Sequence, residues 1–223
     1  MARIWLSCGI LILVSTAFAS SRFVSHQLLP VDEAPSRPDF FNFRKQVFES
    51  IEKRDLNGFK KWVSPEVWVG TGPESQGWEA LSRRFQIEDK NAQPLWNALV
   101  PLTKLGGRFV QANRFCGPYV FTDWPTQMDG AQYAAVIGDS VNIRKQASSS
   151  SPVVRQASYH IVRVPFGEWF EKWVRIETPS GRSGYIAGQY LRNPYDYRFC
   201  FEKNNGHWTL THLIAGKPDS KSQ

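Results

Sequence analysis

Apolar and polar positions alternate along this chain in two rhythms, one helical and one extended. In "DFFNFRKQVFESIEKRD", Phe40, Phe43, Val47, Phe48 and Ile51 fall on one face at helical spacing. Asp39 stands where its carboxylate can cap that helix. The stripe reads as a core face. Asp55 or Asn57 can start a short helix that Pro65 ends, and "EVWVG" follows as a short strand. Trp78 to Phe85 and Pro94 to Leu105 are two further helical segments. "LGGRF" is a turn that leads into the strand-like "FVQANRFCGPYVF".

From Gln132 onward the period changes. "YAAVIG", "SVNIR", "PVVRQAS", "YHIVRVP", "KWVRIET" and "SGYIAGQYL" are short runs rich in β-branched and aromatic residues, punctuated by Gly, Pro and Ser. Such spacing predicts a small all-β barrel or sandwich. Val141 and Ile143 point to one side of their strand and Asn142 and Arg144 to the other. "SSSS" (148–151) is then a loop inside the barrel, not a linker. Beyond Pro194, "YDYRFCFEK" and "HWTLTHLIAG" are strands joined across Asn-Asn-Gly, a sequence that tolerates positive φ and predicts a hairpin. A lone hairpin is marginal in water, so it must dock elsewhere.

The first residues carry the pattern of a secretory signal peptide. Arg3 precedes an apolar run from Ile4 to Val14, and "AFA" (17–19) supplies small residues before a cleavage point. The run is short of the ~20 residues that span a bilayer. Cleavage near Ala19 leaves 26 basic against 20 acidic side chains, a net +6, in an exported chain, periplasmic or extracellular. No later stretch is apolar enough to be an integral membrane segment. Residues 20–38 hold three prolines, several serines and no sustained period, as a flexible leader would. Two cysteines remain, Cys116 and Cys200. An oxidising compartment favours a disulfide between them, with two buried free thiols as the alternative.

The β-rich segment resembles the bacterial SH3-like (SH3b) domains. The residues that carry this are "GDSVNIRKQASSSSPVV", "YHIVRVP" and "KWVRIETPSGRSGYIAGQYL", with Asn142, Arg144, Trp173, Gly181, Gly184, Tyr185, Ile186 and Leu191 at the motif positions. The loop "PFGEWFEK" is longer than the family's and adds Trp169. The whole chain is also similar to exported bacterial SH3 domain-containing proteins in which the module interrupts a host domain. "LGGRF", "GPY" and "YRFCFEKNNGHWTLTHLIAG" carry that likeness, which implies architecture and no particular activity. The fold class expected is α+β: a small all-β SH3-like barrel inserted into a helix-rich α+β host, completed by a C-terminal β-hairpin. The divisions are 1–19 signal peptide, 20–38 leader, 39–130 host, 131–193 barrel, 194–216 host hairpin and 217–223 tail.

Cys116 in "RFCGPY" lacks the helix-start setting of a catalytic thiol. His207 and His212 are five apart in one strand and cannot both serve it. His26, His160, His207 and His212 make no metal-ligand spacing, and no Gly-x-Ser-x-Gly elbow exists. Glu66, Glu74, Glu79 and Asp89 are carboxylates that nothing singles out for glycoside hydrolysis. The expectation is therefore a non-enzyme, with no catalytic residue, cofactor or metal. No nucleic-acid motif is present.

Binding fits better. Residues 131–193 hold eight Lys/Arg and four Asp/Glu, so the barrel contributes +4 of the net charge. Arg144, Lys145, Arg155, Arg163, Arg175 and Arg182 sit on its strands and hairpins. The candidates for ligand contact are Trp169, Tyr159, Tyr185, Tyr190, Arg144 and Arg163, since aromatics beside arginine suit anionic peptides or glycans. Trp173 is expected in the core. The reading is a cell-envelope binder, taking peptidoglycan peptide, glycan or an envelope protein. A cell-wall-targeted hydrolase with an unrecognised site in the host is the alternative.

Overall fold

The computed structural model describes residues 26–87, 92–165, 167 and 172–217. The expected signal peptide, Asp89, Trp169 and all but the first residue of the tail lie outside them.

Two sheets organise the chain. The host sheet has the order β1 (Val63–Trp68), β12 (His207–Ile214), β11 (Arg198–Asn204), β3 (Arg114–Gly117), β2 (Arg108–Gln111). β1 runs parallel to β12 and the other pairs are antiparallel. The C-terminal hairpin β11–β12 thus docks between two strands that precede the barrel. Its turn is Asn205 and Gly206, with φ of 50° and 84°, as Asn-Asn-Gly predicts.

Among the described residues, α1 (Pro38–Glu52), α2 (Leu56–Lys60), α3 (Gly77–Phe85) and α4 (Gln93–Leu99) accompany this sheet. α1 buries Phe40, Phe43, Val47 and Ile51, the expected stripe, with Phe48 packed at its margin. Phe40 is at the centre, its ring 4.5 to 6.0 Å from those of Phe43, Phe109, Phe115, Phe201 and Trp208. One side chain therefore joins α1 to β2, β3, β11 and β12. Asp55 caps α2, accepting from the Gly58 amide at 2.9 Å, while Asn57 lies inside the helix.

Local readings change where tertiary contacts override them. Asp39 does not cap α1. Its carboxylate accepts from Lys203 Nζ (2.8 Å) and Trp208 Nε1 (3.2 Å), which ties the helix start to the hairpin. Pro65 does not end a helix but sits in β1, an edge strand where a missing N–H is tolerated. The helix expected to Leu105 stops at Leu99 and continues as a 3-10 turn, Val100–Lys104, because Pro101 has no N–H to give the helical ladder. "FVQANRFCGPYVF" is not one strand. It reverses after Gln111, pairs Phe109 with Phe115, and becomes α5 (Tyr119–Thr122) beyond Pro118.

Among the described residues the barrel has seven strands: β4 (Tyr133–Val136), β5 (Val141–Arg144), β6 (Val153–Ala157), β7 (Ile161–Arg163), β8 (Trp173–Glu177), β9 (Ser183–Ala187) and β10 (Leu191–Arg192). Their order is β10-β4-β7-β8-β9-β5-β6. Val141, Ile143, Val174, Ile176 and Ile186 fill the interior, as their alternation requires. Gly130 and Pro194, on either side of the barrel, lie against each other. A Cβ on Gly130 would meet Pro194 Cγ at 2.4 Å, so only glycine permits the approach. The fold is α+β, with the barrel inserted in the host.

The leader departs most from expectation. From His26 on it is bound to both sheets. Gln27 bridges His160 on the barrel, Asp32 bridges Gly107 on the host, and Leu28 is buried beside Leu105, Tyr119 and Ile161. Arg44 clasps Asp32 with two hydrogen bonds of 2.6 Å. This segment is held by backbone pairing, buried Leu28 and ion pairs from Asp32 and Glu33, none of which leaves a periodic trace in sequence.

Asp39 yields a test. The Lys203 ammonium, helped by Trp208, holds its carboxyl down to about 2 from 3.8. A depressed carboxylate contributes stability that is complete above the unfolded pKa and is lost as pH falls through the folded one. Wild type is therefore expected to lose stability between pH 4 and 2 more steeply than Asp39→Asn, as read by thermal melts across that window.

Candidate ligand-binding face of the barrel

Register decides which outward side chains meet. Arg144 of β5 is opposite Tyr185 of β9, and Tyr185 is opposite Arg175 of β8. Directly opposed residues share a face, so Arg144, Tyr185 and Arg175 stand in one row across three strands. The inward neighbours Ile143, Val174, Ile176 and Ile186 are buried, which fixes this row on the outside. Trp173 belongs to the same outer side. It is half-buried opposite Ala187, while Val174 next to it takes the core position. The expectation of a core Trp173 is corrected by this alternation.

The two arginines differ. Arg144 donates from Nη1 to the Ser151 carbonyl at 2.7 Å, and Ser151 Oγ accepts from the Gln146 amide at 2.9 Å. Ser151 is itself buried, so the serine loop is a built turn clasped by Arg144. Arg175 is exposed and has no hydrogen bond or ion pair among the described residues. It is thus the arginine available to a ligand. Arg144→Ala is expected to cost about 1 kcal/mol in urea unfolding, through the lost hydrogen bond, and to loosen the 145–152 loop.

The other candidates are dispersed. Arg163 of β7 is opposite Glu177 and ion-pairs with it at 3.0 Å, so its charge is compensated. Tyr159 and Tyr190 flank the 137–138 segment instead. Tyr159, at φ 56°, donates its amide to the Gly138 carbonyl, and the Tyr190 carbonyl accepts from the Ile137 amide. Tyr190 is exposed, and the Tyr159 carbonyl is taken by the Leu28 amide of the leader. Of the six sequence candidates, then, Tyr185 and Arg144 are adjacent, Arg163 is paired off, Tyr159 is bonded to the leader, Tyr190 borders the 137–138 segment, and Trp169 is not described. Arg175, known from sequence only as one of six basic residues, completes the row.

The sequence search also missed a concavity between β6, β7 and the β8–β9 turn. It measures about 280 Å³ and is lined by Ile143, Ala157 and Val162 beneath Arg155, His160 and Ser180. On the host, Cys116 and Cys200 are opposed on β3 and β11 and joined as a disulfide, 84 residues apart. Neither is a free thiol. His212 is opposite Cys200, and burial pushes its imidazole down. Among the described residues, no three His, Cys, Asp or Glu side chains are grouped to hold a metal ion, and no helix is long and apolar enough to cross a membrane.

Comparison with known proteins agrees with the strand pattern. No curated protein matches the chain. A family match covers 139–192, from the start of the β5 hairpin to the end of β10, and it identifies that stretch as a bacterial SH3 domain.

Proposed function

We propose that this is an exported, non-catalytic protein whose SH3 domain attaches it to an anionic ligand of the cell envelope, a peptidoglycan peptide or glycan or an envelope protein. Bacterial SH3 domains commonly bind cell-wall components, and the present one fits that role by its outer row. The observation that carries the reading is Tyr185 set between Arg144 and Arg175. An aromatic face beside an unspent guanidinium attracts carboxylate-bearing peptides by charge and holds their apolar parts by stacking. The disulfide and the signal-like pattern of residues 1–19 support export to an oxidising compartment.

The test is co-sedimentation of the purified protein with isolated cell-wall sacculi. Binding should fall as salt rises, because an exposed arginine acts through a screened field. Absence of salt-sensitive binding counts against the reading, and release of soluble muropeptides would replace it with a hydrolase.

A further inference from the structure

We propose that the concavity between β6, β7 and the β8–β9 turn is a binding pocket for a small aliphatic carboxylate, such as the C-terminal residue of a short peptide. It uses none of the outer-row residues and stands or falls independently of that reading. Its floor is apolar, made by Ile143, Ala157 and Val162. These side chains belong to the barrel core, so the pocket opens onto packed aliphatic surface.

Among the described residues the rim is rich in donors and holds no acid. Arg155 Nη1 donates to Ser180 Oγ at 3.0 Å. Thr178 gives its hydroxyl proton to the Arg182 carbonyl at 3.1 Å, so at the 3.0 Å Ser180–Thr178 contact Ser180 is the donor. This relay positions the Arg155 guanidinium at the mouth while spending one of its five N–H groups. No described carboxylate pairs with it. Glu177, the acid preceding Thr178, is held by Arg163. His160 adds a second donor. Its Nδ1 accepts from the Ser158 amide at 3.3 Å, which places the proton of the neutral ring on Nε2. Gln156 Nε2 is committed to Asn142 at 3.0 Å.

A single guanidinium, an imidazole N–H and an aliphatic floor select an amphiphile with one anionic end. Inorganic phosphate would leave the floor uncovered, and an uncharged peptide would leave Arg155 without its partner. The volume, about 280 Å³, is just under the roughly 300–1,000 Å³ of pockets for drug-sized ligands, which suits one small residue.

The probes are N-acetyl-alanyl-alanine, in L and D configurations, and its C-terminal amide, titrated into the ¹⁵N-labelled purified protein. Saturable shifts are expected at the amides of Arg155, Gln156, Ala157, His160 and Ser180. The amide probe should bind at least about tenfold more weakly, since charge-assisted hydrogen bonds are lost. Arg155→Gln should weaken the acid by a similar factor with the rest of the spectrum unchanged. Ser180→Leu, a substitution in an exposed turn, should block it from the other side of the mouth. Equal affinity for acid and amide, shifts confined to Tyr185 and Arg175, or no saturable shift overturns the pocket. Acid-selective binding without sedimentation on sacculi upholds the pocket and removes the outer-row reading, and the converse result does the opposite.

Discussion

Replacing Cys116 and Cys200 together with serine should lower the stability of the host sheet far more than that of the barrel. The bridge closes a span of 84 residues, and the chain-entropy relation assigns such a loop about 4–5 kcal/mol. That figure is an upper value for this chain. The span contains the whole SH3 domain, residues 139–192, and a barrel that stays folded while the host opens already shortens the free loop. Hydrogen exchange read by mass spectrometry separates the two cases. Amides of β11 and β12 should exchange much faster in the serine variant, because the bridge joins β11 to β3 at the middle of the sheet. Amides of β8 and β9 should change little. Uniform acceleration in both sheets would show that barrel and host unfold as one unit.

The second large effect is expected at Phe40. Its side chain is completely buried and meets five other rings, drawn from α1 and four strands of the host sheet. Phe40→Ala removes that hub and leaves a cavity that rigid strands can fill only in part. Truncations of this kind cost about 3–5 kcal/mol. Phe41 is the control, since it is exposed on the same helix, and Phe41→Ala should cost well under 1 kcal/mol as a surface change. Urea unfolding of the two variants gives the comparison. Near-equal losses would mean that α1 is not anchored through its predicted face.

How far the sequence revealed this molecule depended on whether the forces were local. Strict alternation at 141–144 and 173–177 made the barrel legible, and Asn-Asn-Gly made the last hairpin legible. The hairpin's need for strands to pair with implied an insertion. Two things were not legible for a common reason: they depend on pairing between distant segments. His26 to Asp32 is ordered by bridges to His160 and Gly107, more than seventy residues away. Asp39 looked like a cap because Lys203 and Trp208, its actual partners, are remote in sequence.

The candidate site was half legible for the same reason. Arg144 could be named as outward and Tyr185 as a contact candidate, but only strand register shows that they share a row and that Arg175, and not Arg163, completes it. Trp173 was misplaced because a large aromatic in a strand suggests a core, whereas the alternation around Val174 sends it outward. The pocket beneath Arg155 was invisible, since its walls come from β5, β6, β7 and the β8–β9 turn.

The central claim is that the outer row of the SH3 domain makes the attachment. Its most direct test is sacculus co-sedimentation of wild type beside Tyr185→Ala, Arg175→Glu and the host-surface control Lys61→Ala. The two row variants should lose about tenfold or more in affinity, the scale of one stacked aromatic or one charge-assisted contact, while Lys61→Ala sediments as wild type. Undiminished sedimentation of Tyr185→Ala and Arg175→Glu, or an equal loss in Lys61→Ala, would contradict the account.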